Sequence, residues 1–204
     1  HCISSAASDV YKRQEEWCFV DGLGDYLSTE LGEGTYVPGE PIIGEFNDDE
    51  TALSWAVIWE RGDRESINES YVNLIPTLQG GTHVSGMRTG ITDAIKEFCD
   101  YRKLLPKGVK LTPDDVWKNC SYILSAKLKD PQFTGQTKEK LSSKDFQNIA
   151  TSITKDSFSI WLNQETQAAE EIAFLCIENA QARARASHVS YTHLRAHETR
   201  EDLV

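Results

Sequence analysis

The stretch GGTHVSGMRTGITDAIKEF, residues 80–98, predicts a strong amphipathic helix in the middle of the chain. Its apolar side chains recur at intervals of three and four residues, at Met87, Ile91, Ala94, Ile95 and Phe98. That spacing forms one stripe along a helix, and such a stripe is buried against another element. We expect this helix to pack on a β-sheet, with Gly80 and Gly81 permitting a close backbone approach before it.

Alternating patterns on both sides of this helix predict strands. From Ala52 to Trp59 every second residue is apolar, and we expect one side of this strand to face the core: Leu53, Trp55, Val57 and Trp59. Arg61-Gly62-Asp63 predicts a hairpin turn into a second strand from about Ser66 to Ile75. A further strand is predicted from Tyr122 to Leu128.

Three more helices are predicted toward the C-terminus. Thr112-Pro113-Asp114-Asp115 is typical of a cap with proline at the first helical position, and the helix should end near Asn119. Ser142 and Asp145 resemble a capping box. The apolar stripe that follows comprises Phe146, Ile149, Ala150, Ile153, Ser157, Ile160 and Trp161. The last, long helix carries Ala168, Ala169, Ile172, Leu175, Cys176 and Asn179. The order of elements indicates an α+β fold, with helices packed on one face of a small mixed β-sheet.

The segment before these elements reads as a junction. Trp17 to Val20 predicts a short strand, and Leu23 to Leu31 predicts a short helix or turn that stops at Gly32. Pro38, Gly39 and Pro41 then predict a linker.

Composition argues against several classes of function. The 204 residues carry a net charge of -11, whereas a general nucleic-acid coat needs clustered Lys and Arg to neutralise phosphates. Any DNA contact should therefore be local. No apolar run approaches the roughly 18 residues of a membrane span, and no signal peptide opens the chain, so we expect a soluble cytoplasmic protein with no membrane contact. The five cysteines form no CxxC pair, and no metal site is predicted.

The two ends of the chain, residues 1–14 and 188–204, differ from the body between them. They hold four of the five histidines: His1, His188, His193 and His197. Their sequences look like translated adapter or cloning sequence. A His-rich metal tract is the alternative, since His193 and His197 have helical spacing. We exclude both tails from the fold argument.

A glycine-marked loop carries the best candidate functional residues. In DPQFTGQTKEK, residues 130–140, Pro131 and Gly135 predict a turn or loop. There Gln136 can donate from its amide and Lys138 can extend as a mobile point charge, an arrangement that suits a phosphate. The alternative is a solvated, lysine-rich loop.

Several segments together resemble bacterial type IIA DNA topoisomerases, and specifically the B subunit of topoisomerase IV. The resemblance runs from about Glu16 to about Ser187 and is carried by YVNLIPTLQGGTH at 71–83, DPQF at 130–133, GQTK at 135–138, WLNQ at 161–164 and QAAE at 167–170. The B subunit of gyrase is similar over the same region, but residues 71–80 read more like the topoisomerase IV version.

The resemblance implies a transducer domain, with a βαβ fold related to a ribosomal protein domain and a long C-terminal helix. Residues 15–40 would be the end of the ATPase domain and a linker, and 41–187 the transducer. Gln136 and Lys138 would contact the γ-phosphate of ATP, with Lys138 catalytic, and the Mg²⁺ ligands would lie in the preceding domain. Arg88 matches an arginine expected to face the DNA cavity.

In that family ATP closes a dimeric gate around a DNA duplex, which passes through a break made with the A subunit. The implied enzyme is thus an ATP-hydrolysing isomerase, although this fragment alone should be inactive. Two alternatives stay open: the transducer of a gyrase B subunit, and a stand-alone, non-enzymatic DNA- or protein-binding module of the same fold. His83, with no nucleophile in a recognisable motif, is expected to be a surface or capping histidine. Asp48, Asp49 and Glu50 are expected to form a solvated turn.

Overall fold

A computed structural model describes the backbone of residues 2–3, 17–18, 22–62 and 65–201, and the side chains of residues 22–62 and 65–186. The strands are β1 (Cys2–Ile3), β2 (Trp17–Cys18), β3 (Tyr36–Asn47), β4 (Thr51–Glu60), β5 (Asn68–Val72), β6 (Ile75–Pro76) and β7 (Cys120–Leu128). The helices are α1 (Leu23–Leu31), α2 (Thr82–Arg102), α3 (Pro113–Trp117), α4 (Lys144–Gln164) and α5 (Thr166–Glu201).

Five of the strands form one mixed sheet in the order β3-β4-β7-β5-β6, while β1 and β2 pair separately. Strand β7 is antiparallel to β4 and parallel to β5. The hairpin predicted at Arg61-Gly62 is therefore wrong, because β7 lies between the two strands it would have joined. Asp63 of that turn is outside the described residues. A strand that is buried on both faces, as β7 is at Ile123 and Leu124, takes a central position in a sheet.

Helices α2 to α5 cover one face of this sheet, and α1 covers part of the other. Trp55, Val57 and Leu124 belong to the main core with residues of α2, α3, α4 and α5. Ala56, Ile58 and Ile123 alternate with them along the strands, so they point to the opposite face, where they pack with Leu27 of α1. The predicted α+β fold with a mixed sheet is confirmed, and α1 adds a small second core to it.

The linker predicted at Pro38, Gly39 and Pro41 is wrong, because these residues lie inside strand β3. β3 is an edge strand, and its pairing with β4 shifts register between Val37 and Ile42. Proline is tolerated on an edge strand or at an irregularity, since it then removes no hydrogen bond from a central ladder. The division of the chain at residue 40 stays a prediction.

Helix α4 exists as predicted, but its cap and part of its stripe differ. It begins at Lys144 after Ser143, without a side-chain cap, and the Ser142 hydroxyl donates to the Gln132 carbonyl at 3.1 Å. The predicted capping box is therefore wrong. The buried side is Phe146, Ala150, Thr154, Phe158 and Leu162, whereas Ile149 and Ile160 are exposed.

Two glycines of α2 explain which side of α4 is buried. A Cβ atom at Gly86 would lie 2.8 Å from the Cβ of Ala150, and one at Gly90 would lie 2.5 Å from the Thr151 carbonyl oxygen. The two helices therefore touch through small residues, and Ala150 and Thr154 must face α2. Close backbone approach, which no apolar pattern encodes, fixes the rotation of α4.

The C-terminal helix is long, as predicted, and its stripe is confirmed at Ala169, Ile172, Leu175 and Cys176, which are all buried. Its backbone continues through residues 188–201 of the C-terminal tail. The predicted foreign origin of the tails and the alternative metal tract at His193 and His197 concern side chains outside the described residues.

Candidate functional site

The candidate phosphate-binding residues lie on a closed loop between β7 and α4. Phe133 and Leu141 form an isolated antiparallel bridge. Inside it, the Thr134 amide donates to the Lys140 carbonyl at 2.9 Å, and outside it the Ser142 amide donates to the Gln132 carbonyl at 2.8 Å. Residues 133–141, which we call the glutamine loop, therefore have a defined base and an exposed tip.

The base of the glutamine loop is bonded to the chain just before α2. The Leu141 amide donates to the Gly80 carbonyl at 3.0 Å, and the Thr82 amide donates to the Leu141 carbonyl at 3.0 Å. A Cβ atom at Gly81 would lie 2.3 Å from the Leu141 oxygen, and the φ of Gly81 is 137°. Only glycine fits there, so the predicted close approach at Gly80 and Gly81 is confirmed.

A second connection, which the sequence analysis missed, joins the loop tip to Gln79. The Gln79 amide donates to the Glu139 carbonyl at 3.0 Å, and its side-chain nitrogen donates to Glu139 Oε2 at 2.6 Å. The two residues are 60 positions apart, so no local pattern could reveal the pair. The contact fixes the residue next to Lys138.

Gln136 and Lys138 are both exposed at the tip of this loop. Lys138 has a left-handed backbone, with φ 56°, which turns the chain at that residue. Among the residues whose side chains are described, none forms a hydrogen bond or an ion pair with either side chain. The structure thus brings an amide and an ammonium group together on a held loop and leaves both free for an external anion.

His83 lies in the first turn of α2, and the expectation that it is a surface or capping residue is wrong. Its side chain is 0 % exposed, and Nε2 lies 3.1 Å from the hydroxyl of Thr77, which in turn contacts Ser70 at 2.7 Å. Burial lowers the pKa of His83 to about 4, so the ring is neutral at pH 7. The predicted apolar stripe of α2 begins at Met87. His83 lies one turn earlier and is polar, so no sequence pattern places it in the core.

Arg88 lies on α2, half-buried against an aromatic ring. Its guanidinium carbon is 5.1 Å from the centroid of Trp117, while Trp117 Nε1 donates to the Arg88 carbonyl at 3.2 Å. A cation over the face of an aromatic ring is attracted to it, and among the described residues none accepts a hydrogen bond from the Arg88 guanidinium group. The structure therefore gives Arg88 a packing contact, and its DNA contact stays a prediction.

Within residues 22–62 and 65–186, no group of three or more His, Cys, Asp or Glu side chains could hold a metal ion. The acidic segment after β3 is a solvated turn, as predicted: Asp48 Oδ1 accepts from the amides of Glu50 at 2.9 Å and Thr51 at 2.7 Å. The helices in the described part of the chain are all too short or too polar to cross a membrane.

Sequence comparison connects this architecture to a known family. The sequence matches the family described as DNA gyrase B over residues 22–191. The chain belongs to the DNA gyrase B family. It is 50 % identical over 179 residues to the B subunit of DNA topoisomerase 4 from Salmonella typhimurium strain LT2, a match that covers 88 % of this chain and 28 % of that protein. The predicted resemblance to the B subunit of topoisomerase IV is therefore confirmed, and the chain spans 28 % of that relative's length.

Solved structures of the family share the fold. The topoisomerase IV ATP binding domain of Francisella tularensis, solved with a small-molecule inhibitor, is 41 % identical with a TM-score of 0.73, covering 86 % of this chain and 47 % of that one. The 43K ATPase domain of Thermus thermophilus gyrase B, solved with an aminocoumarin, has a TM-score of 0.78 at 20 % identity and covers 89 % of this chain and 49 % of that one. The second likeness shows the fold alone.

Proposed function

We propose that this chain is the transducer part of a topoisomerase IV B subunit, acting within an ATP-hydrolysing type IIA DNA topoisomerase in the cytoplasm. Relatives about 50 % identical bear the name of that polypeptide, and the similar solved chain is named an ATP binding domain. The observation that carries the proposal is the free ammonium group of Lys138 on a loop whose base is fixed by backbone hydrogen bonds to Gly80 and Thr82.

Lys138 and Gln136 would contact the γ-phosphate of an ATP molecule held by a neighbouring domain. A cation and an amide donor near the terminal phosphoryl oxygens stabilise the charge that develops in phosphoryl transfer. Fixing the loop before the nucleotide arrives lowers the entropy cost of the contact. ATP with Mg²⁺ would supply the phosphoryl group, and we assign the Mg²⁺ ligands to the neighbouring domain.

The same contact would couple hydrolysis to motion. A lysine that binds the γ-phosphate binds the ATP state and not the ADP state, so its binding energy favours one arrangement of the two domains. Loss of the γ-phosphate then releases the transducer. In the whole enzyme this change would open and close a dimeric gate during DNA strand passage.

The partners that follow are double-stranded DNA, the A subunit of topoisomerase IV, and a second copy of the B subunit. Arg88 is the proposed DNA contact, because its guanidinium group lies over Trp117 and has no hydrogen-bond acceptor among the described residues. A guanidinium group presents its donors in a planar fork that matches phosphate geometry. A gyrase B subunit remains the second candidate, because the matched family is described as DNA gyrase B.

The test uses a chimera in which residues 22–186 replace the matching segment of the topoisomerase 4 B subunit from Salmonella typhimurium. We expect Lys138→Ala to lower the kcat of ATP hydrolysis by about two orders of magnitude, the usual loss for one charge-stabilising donor. Lys140→Ala is the matched control, because Lys140 is an exposed lysine on the same loop. Its turnover should equal that of the parent chimera.

Equal turnover in the Lys138→Ala and parent chimeras would refute the role of Lys138. A salt titration of duplex DNA against the 204-residue chain tests the remaining alternative. Strong nucleotide-independent binding would favour a stand-alone DNA-binding module. Decatenation and supercoiling assays of the chimera with the A subunit then separate a topoisomerase IV from a gyrase.

A further inference from the structure

Two leucines that are close together in sequence are largely in contact with solvent. Leu74 is 75 % exposed and Leu78 is 83 % exposed, and both belong to the connection between β5 and α2. Single exposed apolar residues are common on protein surfaces. The backbone of Leu74 and the neighbours of Leu78 distinguish this pair from ordinary surface residues.

Leu74 occupies a backbone conformation that leucine disfavours. Val72 pairs with Ile75, so Asn73 and Leu74 form a two-residue hairpin turn, with φ of 50° and 66°. Such turns favour Asn followed by Gly. Asn73 fits, and its side chain bonds the Leu128 carbonyl at 2.8 Å and the Leu128 amide at 2.9 Å. Leucine at the second position gains neither burial nor a favoured φ within the described part of the chain.

Leu78 is linked to Lys138 through a hydrogen-bonded pair of neighbouring residues. Gln79 and Glu139 are joined by two hydrogen bonds, of 3.0 Å between backbone atoms and 2.6 Å between side chains. Leu78 precedes Gln79 and Lys138 precedes Glu139. Consecutive Cα atoms are about 3.8 Å apart, and the Cα atoms of two residues paired by backbone hydrogen bonds are about 5.5 Å apart. The Cα atoms of Leu78 and Lys138 therefore lie within about 13 Å of each other.

The two leucines also lie on an open border of the sheet. β6 (Ile75–Pro76) is the last strand of the order β3-β4-β7-β5-β6; Leu74 directly precedes it, and Leu78 follows it after Thr77. A surface that combines exposed apolar side chains, an edge strand and a nearby unpaired lysine is typical of an interface.

We propose that Leu74 and Leu78 form a docking surface for the domain that holds the nucleotide, and that this domain covers them when the γ-phosphate meets Lys138. This inference rests on the proposed function. The occupant follows from Lys138, whose phosphate must be delivered by another body of protein. This chain covers only 47 % of the similar ATP binding domain chain from Francisella tularensis, so such a body exists there beyond the matched region.

Thiol labelling of the full-length chimera tests the surface directly. Leu78→Cys is labelled with a maleimide with and without a non-hydrolysable ATP analogue, and the rate in the parent chimera is subtracted. Cys99, Cys120 and Cys176 of the inserted segment are at most 2 % exposed, so they should not react. We expect the analogue to slow labelling at residue 78 by about tenfold or more.

Ile160→Cys is the matched control. Ile160 is an aliphatic residue, 59 % exposed, and at 1.5 Å per residue it lies about 24 Å along α4 from Lys144, the first residue of that helix. Its labelling rate should be the same with and without the analogue.

Leu74→Asn gives a second test with two readouts of opposite sign. Asparagine tolerates the left-handed conformation, so the midpoint of thermal unfolding should rise by about 2–4 °C. ATP turnover should fall by about tenfold, because burial of one leucine on docking is lost. A purely structural role for Leu74 predicts a fall in stability instead.

The outcomes separate this proposal from the proposed function. Labelling of Leu78→Cys at one rate with and without the analogue overturns the docking surface, even if Lys138→Ala abolishes turnover. Protection that needs no nucleotide and grows with protein concentration also overturns it, because the occupant is then a second copy of the chain. Unchanged turnover in Lys138→Ala with protection at residue 78 would refute the lysine role and keep the docking surface.

Discussion

The glutamine loop and the contact between α3 and α5 both carry charged side chains, and they differ in whether those charges are paired. The second region, which we call the α3–α5 junction, comprises Thr112, Asp115 and Arg183. At the junction, Asp115 is 3 % exposed and accepts bonds from Arg183 at 2.8 and 2.9 Å and from the Thr112 amide and hydroxyl, both at 2.8 Å. Burial opposes ionisation of Asp115, but the bonds from Arg183 and Thr112 outweigh it and lower the pKa of the carboxyl group.

Lys138 has no such partner among the described side chains, although the loop that carries it is also held by hydrogen bonds to the rest of the fold. The paired charges of Asp115 and Arg183 join two helices of the fold, whereas the ammonium group of Lys138 is available to a ligand. Substitutions at residues that hold the fold together, such as Gly81 and Asp115, should therefore change stability. Substitution of Lys138 at the loop tip should change activity.

Gly81→Ala should have the largest effect on stability, because its Cβ would collide with the Leu141 backbone that carries the loop. We expect a loss of about 4 kcal/mol in the free energy of unfolding, measured by urea denaturation of the chain. Gly135→Ala is the control: Gly135 also has a positive φ, 81°, but its Cβ would meet nothing within 4 Å. A loss of about 1 kcal/mol is expected there. Equal losses would show that the base of the loop is not tightly fixed.

His83 should make the chain less stable in acid. The pKa is lowered from its ordinary 6.5 to about 4 in the folded state, so the unfolded state binds the extra proton more readily between those values. This stability is fully present above about pH 6.5 and is lost as the pH falls toward 4, a change of about 3 kcal/mol. Urea denaturation from pH 7 to 4 measures it. In His83→Gln, which keeps a polar group for Thr77, this part of the pH dependence should disappear, and its persistence would contradict the assignment.

Breaking the junction should cost less, about 2 kcal/mol. Asp115→Asn keeps the shape of the side chain but removes the charge that Arg183 binds, and half of the Arg183 side chain can still reach solvent. Glu170→Gln is the comparison, because Glu170 also joins α5 to another helix, through an exposed ion pair with Arg102 at 3.1 Å. That pair should contribute less than about 0.5 kcal/mol to the free energy of unfolding. A larger loss at Glu170 than at Asp115 would reverse the expected order.

Local patterns predicted the elements that depend on local chemistry. The stripe of α2 is buried at Met87 and Ile91, and Thr112 caps α3 through a capping box with Asp115, as the spacing and the proline at position 113 indicate. Lys138 and Gln136 were placed on an exposed loop because Pro131 and Gly135 mark it. These features need only a few consecutive residues.

The errors arose where distant parts of the chain decide the outcome. In the sequence, Pro38 and Pro41 indicate a linker because proline is rare inside strands. They are tolerated because β3 is an edge strand, and its position depends on how distant strands pair. The buried side of α4 depends on Gly86 and Gly90 of α2, and the buried ring of His83 contacts Thr77, which lies outside the helix. The sequence alone likewise could not show the Gln79–Glu139 bonds or the exposure of Leu74 and Leu78.

The steady-state rate of ATP hydrolysis by the Lys138→Ala chimera tests the central claim most directly. The claim predicts a kcat about one hundredfold below that of the parent and of Lys140→Ala. The free energy of unfolding should change by less than about 0.5 kcal/mol, because the side chain has no partner among the described residues to lose. A kcat equal to that of the parent chimera would contradict the claim that this unpaired ammonium group acts on the nucleotide.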